Sequence, residues 1–109
     1  MTEVTIYKNE KNECVGFRAY GHAGYAVEGE DIVCAAISIL TINTMNAIEA
    51  YTNAKCSLIS DDEQGMLDFQ IENPTKESTL LLNTMILGLE SMVNDEDYAE
   101  YIDLKFEEV

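Results

Sequence analysis

Tryptophan is missing from this chain, proline and histidine occur once each, and only six basic residues face 21 acidic ones. Each shortage excludes something. A formal net charge of −15 repels phosphate backbones, so direct nucleic-acid binding is not expected. The same field attracts cationic partners, and a basic peptide is a natural candidate. The three cysteines, Cys14, Cys34 and Cys56, are an odd number at wide spacing and give no disulfide framework. One histidine and no Cys-x-x-Cys supply no ligand set for a structural zinc, so neither metal nor cofactor is expected. No uninterrupted apolar run approaches the ~20 residues of a membrane span. The opening Met-Thr-Glu-Val-Thr lacks the charged and apolar regions of a secretory signal. The expected setting is therefore the cytoplasm, with reduced thiols and no membrane.

What is present suffices for one core. The 109 residues are 47% hydrophobic, and a chain of this size buries roughly two thirds of its unfolded surface. We expect a single domain over 1–109. Residues 3–8 alternate with Val4 and Ile6 on one face. Residues 13–20 alternate again, with Val15, Phe17 and Ala19 opposite Cys14, Arg18 and Tyr20, and the pair reads as a hairpin. A helix is predicted from an Asp31 cap to about Tyr51. Its broad apolar face carries Val33, Ile37, Leu40 and Ile48 and suggests burial on more than one side. Short strands over 55–60 and 66–72 flank a polar turn closed by Gly65. Asn73-Pro74-Thr75 starts a second helix, capped by Asn73 or Thr75 and carrying Leu82, Ile86, Leu89 and Val93. A last strand covers 101–106. The order β-β-α-β-β-α-β implies an α+β fold, a largely antiparallel sheet covered by two helices.

Half of the six glycines fall in one segment. Gly21, Gly24 and Gly29 lie between or beside the single histidine, His22, and Cys34. A strand end, a glycine-rich bend and a helix start thus carry a base and a thiol. Twelve positions separate the two residues, and the intervening glycines let the loop fold back. With Asp31 as cap, Cys34 stands third in the helix, where the positive field of the N-terminus favours a thiolate. An imidazole beside it can form an ion pair that keeps the nucleophile charged.

Each of these residues also has a plainer reading. A cysteine in an Ala-rich helix is usually a small buried apolar residue. A lone histidine is more often structural than catalytic. Asp31 serves as a cap, and as an anion it would oppose thiolate formation if it also oriented His22. Ser38, at i+4 from Cys34, either bonds back to a helix carbonyl or steadies the site. Gly24 and Gly29 are most simply turn residues, and they also give a loop that can move to admit a peptide. Cys14 and Cys56 lie on predicted strands and are assigned to structure.

The joined pattern Gly21-His22-Ala23-Gly24-Tyr25-Ala26, then Gly29-x-Asp31-Ile32-Val33-Cys34-Ala35-Ala36-x-Ser38, resembles the ribosomal-processing cysteine protease family of bacteria. The resemblance covers essentially the whole chain. It implies that His22 and Cys34 are the catalytic pair and that Gly21, Asp31 and Ser38 match further motif positions. It implies a homodimer that removes a short N-terminal extension from the twenty-seventh protein of the large ribosomal subunit, cutting after a phenylalanine. The substrate would be a basic N-terminal peptide, which suits the acidic field. Two other readings fit the residues alone: a thiol redox protein cycling Cys34 through sulfenic acid, and a non-enzymatic acidic dimer that binds a basic ribosomal segment by charge.

Overall fold

The computed structural model describes residues 1–21 and 30–109, with Glu30 and Asp31 described by backbone alone. The elements run β1 (Thr2–Lys8), β2 (Cys14–Tyr20), α1 (Glu30–Tyr51), β3 (Cys56–Asp61), β4 (Met66–Ile71), α2 (Lys76–Val93), a short 3-10 turn and β5 (Ile102–Glu108). This is the predicted order. The strands form one sheet in the order β3-β4-β2-β1-β5. All neighbours are antiparallel except β1 and β5, which run parallel from Thr2↔Ile102 to Lys8↔Glu108.

One face of the sheet carries the core. Val4 and Ile6, Phe17 and Ala19, Phe69 and Ile71, and Ile102 point inward by strand alternation. They pack with Val33, Ile37, Met45 and Ile48 of α1 and Leu82, Met85, Ile86 and Leu89 of α2. The opposite face is polar. There the Tyr7 hydroxyl donates to Asp68 Oδ2 at 3.2 Å, and Lys105 lies 3.6 Å from Glu3 and 3.3 Å from Asp103.

The inward set of β2 differs from simple alternation. Cys14 is fully buried and Val15 only partly so, the reverse of the predicted faces. The ladder gives the reason: Tyr7 pairs with Gly16 but Lys8 pairs with Cys14, so Val15 is an extra residue in a bulge. Gly16 makes the bulge possible. Its φ is +155°, and a Cβ there would come within 2.1 Å of the Phe69 carbonyl oxygen.

Both helices also depart in detail from expectation. Helix α1 buries one side only. Ile32, Ile39 and Ile42 stay exposed along its outer stripe, Ile39 to 70%. Its span Ile32–Tyr51, 20 residues at mean hydropathy 1.5, is long and apolar enough to cross a membrane, which counting uninterrupted apolar runs did not reveal. Here its inner side is a core face. The two helices meet closely where the Leu40 side chain lies 3.1 Å from where a Cβ on Gly88 would stand. At the start of α2, Thr75 is the cap: its hydroxyl accepts from the Ser78 N–H while Ser78 Oγ accepts from the Thr75 N–H. Pro74 therefore precedes the helix rather than opening it, and Asn73 instead accepts from the Lys55 N–H at 2.7 Å.

Candidate active site

Four strand ends and the first turns of α1 converge at one end of the sheet. β1 begins there at Thr2, β2 ends at Tyr20, β3 ends at Asp61 and β4 begins at Met66. Between them lies a cleft of about 270 Å³. Cys34, Ile37, Ser38 and Thr41 line its helical side, and Thr2, Ala19 and Tyr20 its sheet side. Asp61, Asp62, Gly65 and Leu67 form the far wall. The candidate nucleophile thus faces a solvent-connected space.

Cys34 is buried to 7% exposure, and its Sγ lies 3.1 Å from Thr2 Oγ1. Helix α1 begins at Glu30, one residue ahead of the expected cap. Asp31 is therefore the second helical residue rather than the cap, and Cys34 the fifth rather than the third. A helix from Glu30 directs the Cys34 N–H to the carbonyl four residues back, so that N–H is already used. The free N–H groups of the helix belong to the turn before Cys34. Ser38, one turn further on, lines the same cleft as the sulfur.

Gly21 closes β2 beside the start of β1. Its φ is +99°, and a Cβ would stand 2.7 Å from the Met1 carbonyl oxygen. Only glycine fits this close approach without strain. The motif glycine therefore has a local reason: it lets the chain leave the sheet next to Thr2 and Cys34. His22, Gly24 and Gly29 lie outside the described residues, as does the side chain of Asp31.

Sequence reasoning missed several lining groups. Thr2 reaches Cys34 across 32 positions, and no local pattern signals such a contact. Asp61 and Asp62 were read only as turn residues. Asp61 does shape the turn, its Oδ1 accepting from the N–H groups of Glu63 and Gln64. Both aspartates also put negative charge on the cleft wall. Neither of the other two thiols lines this cleft. Burial pushes the Cys14 thiol up from its ordinary value. Cys56 is exposed on β3, and it too is raised, by partial burial and then by Glu49.

A thiol presented to a cleft from the first turns of α1 suits the class of cysteine proteases, and comparison with known proteins places the chain in that class. The family model described as Cysteine protease Prp matches residues 1–103, and the chain belongs to that family. The ribosomal processing cysteine protease Prp of Staphylococcus aureus (strain Mu50) is 30% identical over 107 residues, spanning 97% of this chain and 99% of the relative. That of Bacillus subtilis (strain 168) is 25% identical over 100 residues, spanning 87% and 89%. Among solved structures, the S. aureus protease with a substrate peptide has a TM-score of 0.89 at 29% identity, covering 98% of this chain and 100% of that one. The same protease with a covalently linked product peptide gives 0.84 at 30% identity and the same coverage.

Proposed function

We propose that this cysteine protease removes the N-terminal extension of a large-subunit ribosomal protein, the twenty-seventh of that subunit, with Cys34 as nucleophile and His22 as its base and acid. The observation that carries the reading is the Cys34 sulfur opening onto a cleft of about 270 Å³. Support comes from the S. aureus relative, which is known with a substrate peptide and with a covalently linked product peptide.

In the proposed reaction the Cys34 thiolate attacks the scissile carbonyl carbon, forming an S–C bond. Free N–H groups of the first turn of α1 stabilise the oxyanion. His22 delivers a proton to the leaving amine as the C–N bond breaks, then takes one from water, which releases the acyl group and frees the sulfur. Asp31 and Ser38 support the site, Ser38 from one turn along the cleft wall. The substrate is basic, which suits Asp61 and Asp62 on the cleft wall and the net charge of −15. The enzyme acts as a homodimer in the cytoplasm, where ribosomes are assembled.

Mass spectrometry of the extended ribosomal protein incubated with wild type and with Cys34→Ala tests this. Wild type should yield the shortened protein and one N-terminal fragment, cut after a phenylalanine, and Cys34→Ala neither. Cleavage by both, or by neither, overturns the proposal. For His22, the test is alkylation of Cys34 across about pH 5 to 9. His22→Ala should lose the reactivity near neutrality, and an unchanged profile removes the ion pair.

A further inference from the structure

A hydroxyl within hydrogen-bonding distance of the nucleophilic sulfur comes from 32 positions earlier in the chain. Thr2 Oγ1 and Cys34 Sγ are 3.1 Å apart, and both residues are buried, Thr2 to 5% exposure. Thr2 is held on the strand that pairs on both its sides. It opposes Ile102 of β5, and the next residue, Glu3, opposes Tyr20 of β2. Its β-branched side chain has few rotamers, so the hydroxyl is placed at small entropic cost.

We propose that Thr2 donates a hydrogen bond to the Cys34 thiolate and so sets how readily that sulfur becomes a nucleophile. With a neutral thiol either atom can donate. A thiolate has only lone pairs to offer, so ionisation fixes the hydroxyl as donor. Such a charge-assisted bond favours the charged form over the neutral one. The surroundings give the bond weight. Among the described residues, the charged and titratable groups lining the cleft are Asp61 and Asp62 from the β3–β4 connection and Tyr20 from β2. Both carboxylates oppose a second negative charge nearby, as does the charge of the whole chain. A fixed dipole donor offsets that opposition in addition to the ion pair proposed for His22.

This inference rests on Cys34 being the nucleophile, and its test reads the sulfur directly rather than through peptide turnover. The rate of Cys34 alkylation by iodoacetamide is followed against pH in wild type, Thr2→Val and Thr2→Ser, with Cys14 and Cys56 counted separately by peptide mapping. Thr2→Val keeps the shape and deletes the donor. Its profile should move to higher pH, with alkylation slower by about threefold to tenfold near pH 7. At the alkaline plateau its rate should equal or exceed that of wild type, because a thiolate freed of its donor is the stronger nucleophile. Thr2→Ser should stay within about twofold of wild type throughout. A Thr2→Val profile that overlays wild type overturns the proposal, and so does a Thr2→Ser profile that matches Thr2→Val. If Thr2→Val does not fold, the Thr2 hydroxyl proton in unmodified protein decides by NMR. It should move downfield as Cys34 ionises, and a resonance that ignores that titration overturns the assignment. If alkylation follows expectation while the ribosomal substrate stays uncut, the substrate assignment fails and the hydroxyl role stands.

Discussion

The two ends of the sheet are built from the same parts and finished in opposite ways. Each has a helix N-terminus, a buried cysteine and a glycine that no other residue can replace. At one end Cys14 is fully buried, its Sγ donates to the Gly16 carbonyl at 3.4 Å, and the nearby start of α2 is closed by the reciprocal Thr75–Ser78 pair. The thiol and the helix cap there are answered from within the chain. At the other end Cys34 is almost as buried, yet it meets a hydroxyl and a cleft whose far wall carries two aspartates. Burial alone does not separate a packing cysteine from a working one; access and partners do.

The sharpest way to break this comparison is to exchange the cysteines' fates. Cys34→Ala should lower peptide cleavage by at least about a thousandfold, whereas Cys14→Ala should leave it within a few-fold. Quantified cleavage of an extended ribosomal peptide by the two variants gives the answer. Gly16→Ala should cost about 3 kcal/mol or more, since its Cβ would meet backbone that cannot yield. Urea denaturation would show the loss, and a cost below about 1 kcal/mol would mean the bulge is softer than it looks. Cys14→Ala should cost about 1–2 kcal/mol through the small void and the lost bond to Gly16.

The thiol at the closed end also sets a pH dependence. Burial raises the folded-state value of Cys14, so its contribution to stability is complete below the ordinary thiol value. It is lost as the pH rises from there toward the folded value, because the unfolded chain releases its proton first. Tyr7 is raised as well, chiefly by burial and then by Asp68, and acts in the same direction at higher pH. Urea midpoints measured from about pH 7 to about pH 10 should fall in wild type, and Cys14→Ala should lessen the earlier part of that fall, to which Cys56 also contributes. The smallest effect concerns the cap. Thr75→Ala should cost about 1 kcal/mol without changing cleavage, because α2 starts at the end remote from the cleft.

How much of this was legible in the sequence follows from the range of each cause. Element order came from alternation and helical spacing, which are local. The faces of β2 were misassigned at Cys14 and Val15 because the bulge depends on Gly16 meeting Phe69 on another strand. The cap of α2 stayed open between Asn73 and Thr75, since both residues can accept; the choice was settled by Asn73 finding the Lys55 N–H instead. At the site, the glycine-rich motif pointed to Cys34, and the structure supplied a physical reason for Gly21. Thr2, Asp61 and Asp62 were invisible as cleft residues because pairing in the sheet, not spacing along the chain, brings them to the cleft.

The cleft walls come from residues as far apart along the chain as Thr2 and Leu67, and this governs when the sulfur can meet a substrate. A chain still emerging from the ribosome lacks this chamber until β4 has followed β3 out and the hairpin has docked. A protease of this kind is thereby kept unassembled until more than half of its own chain has been made.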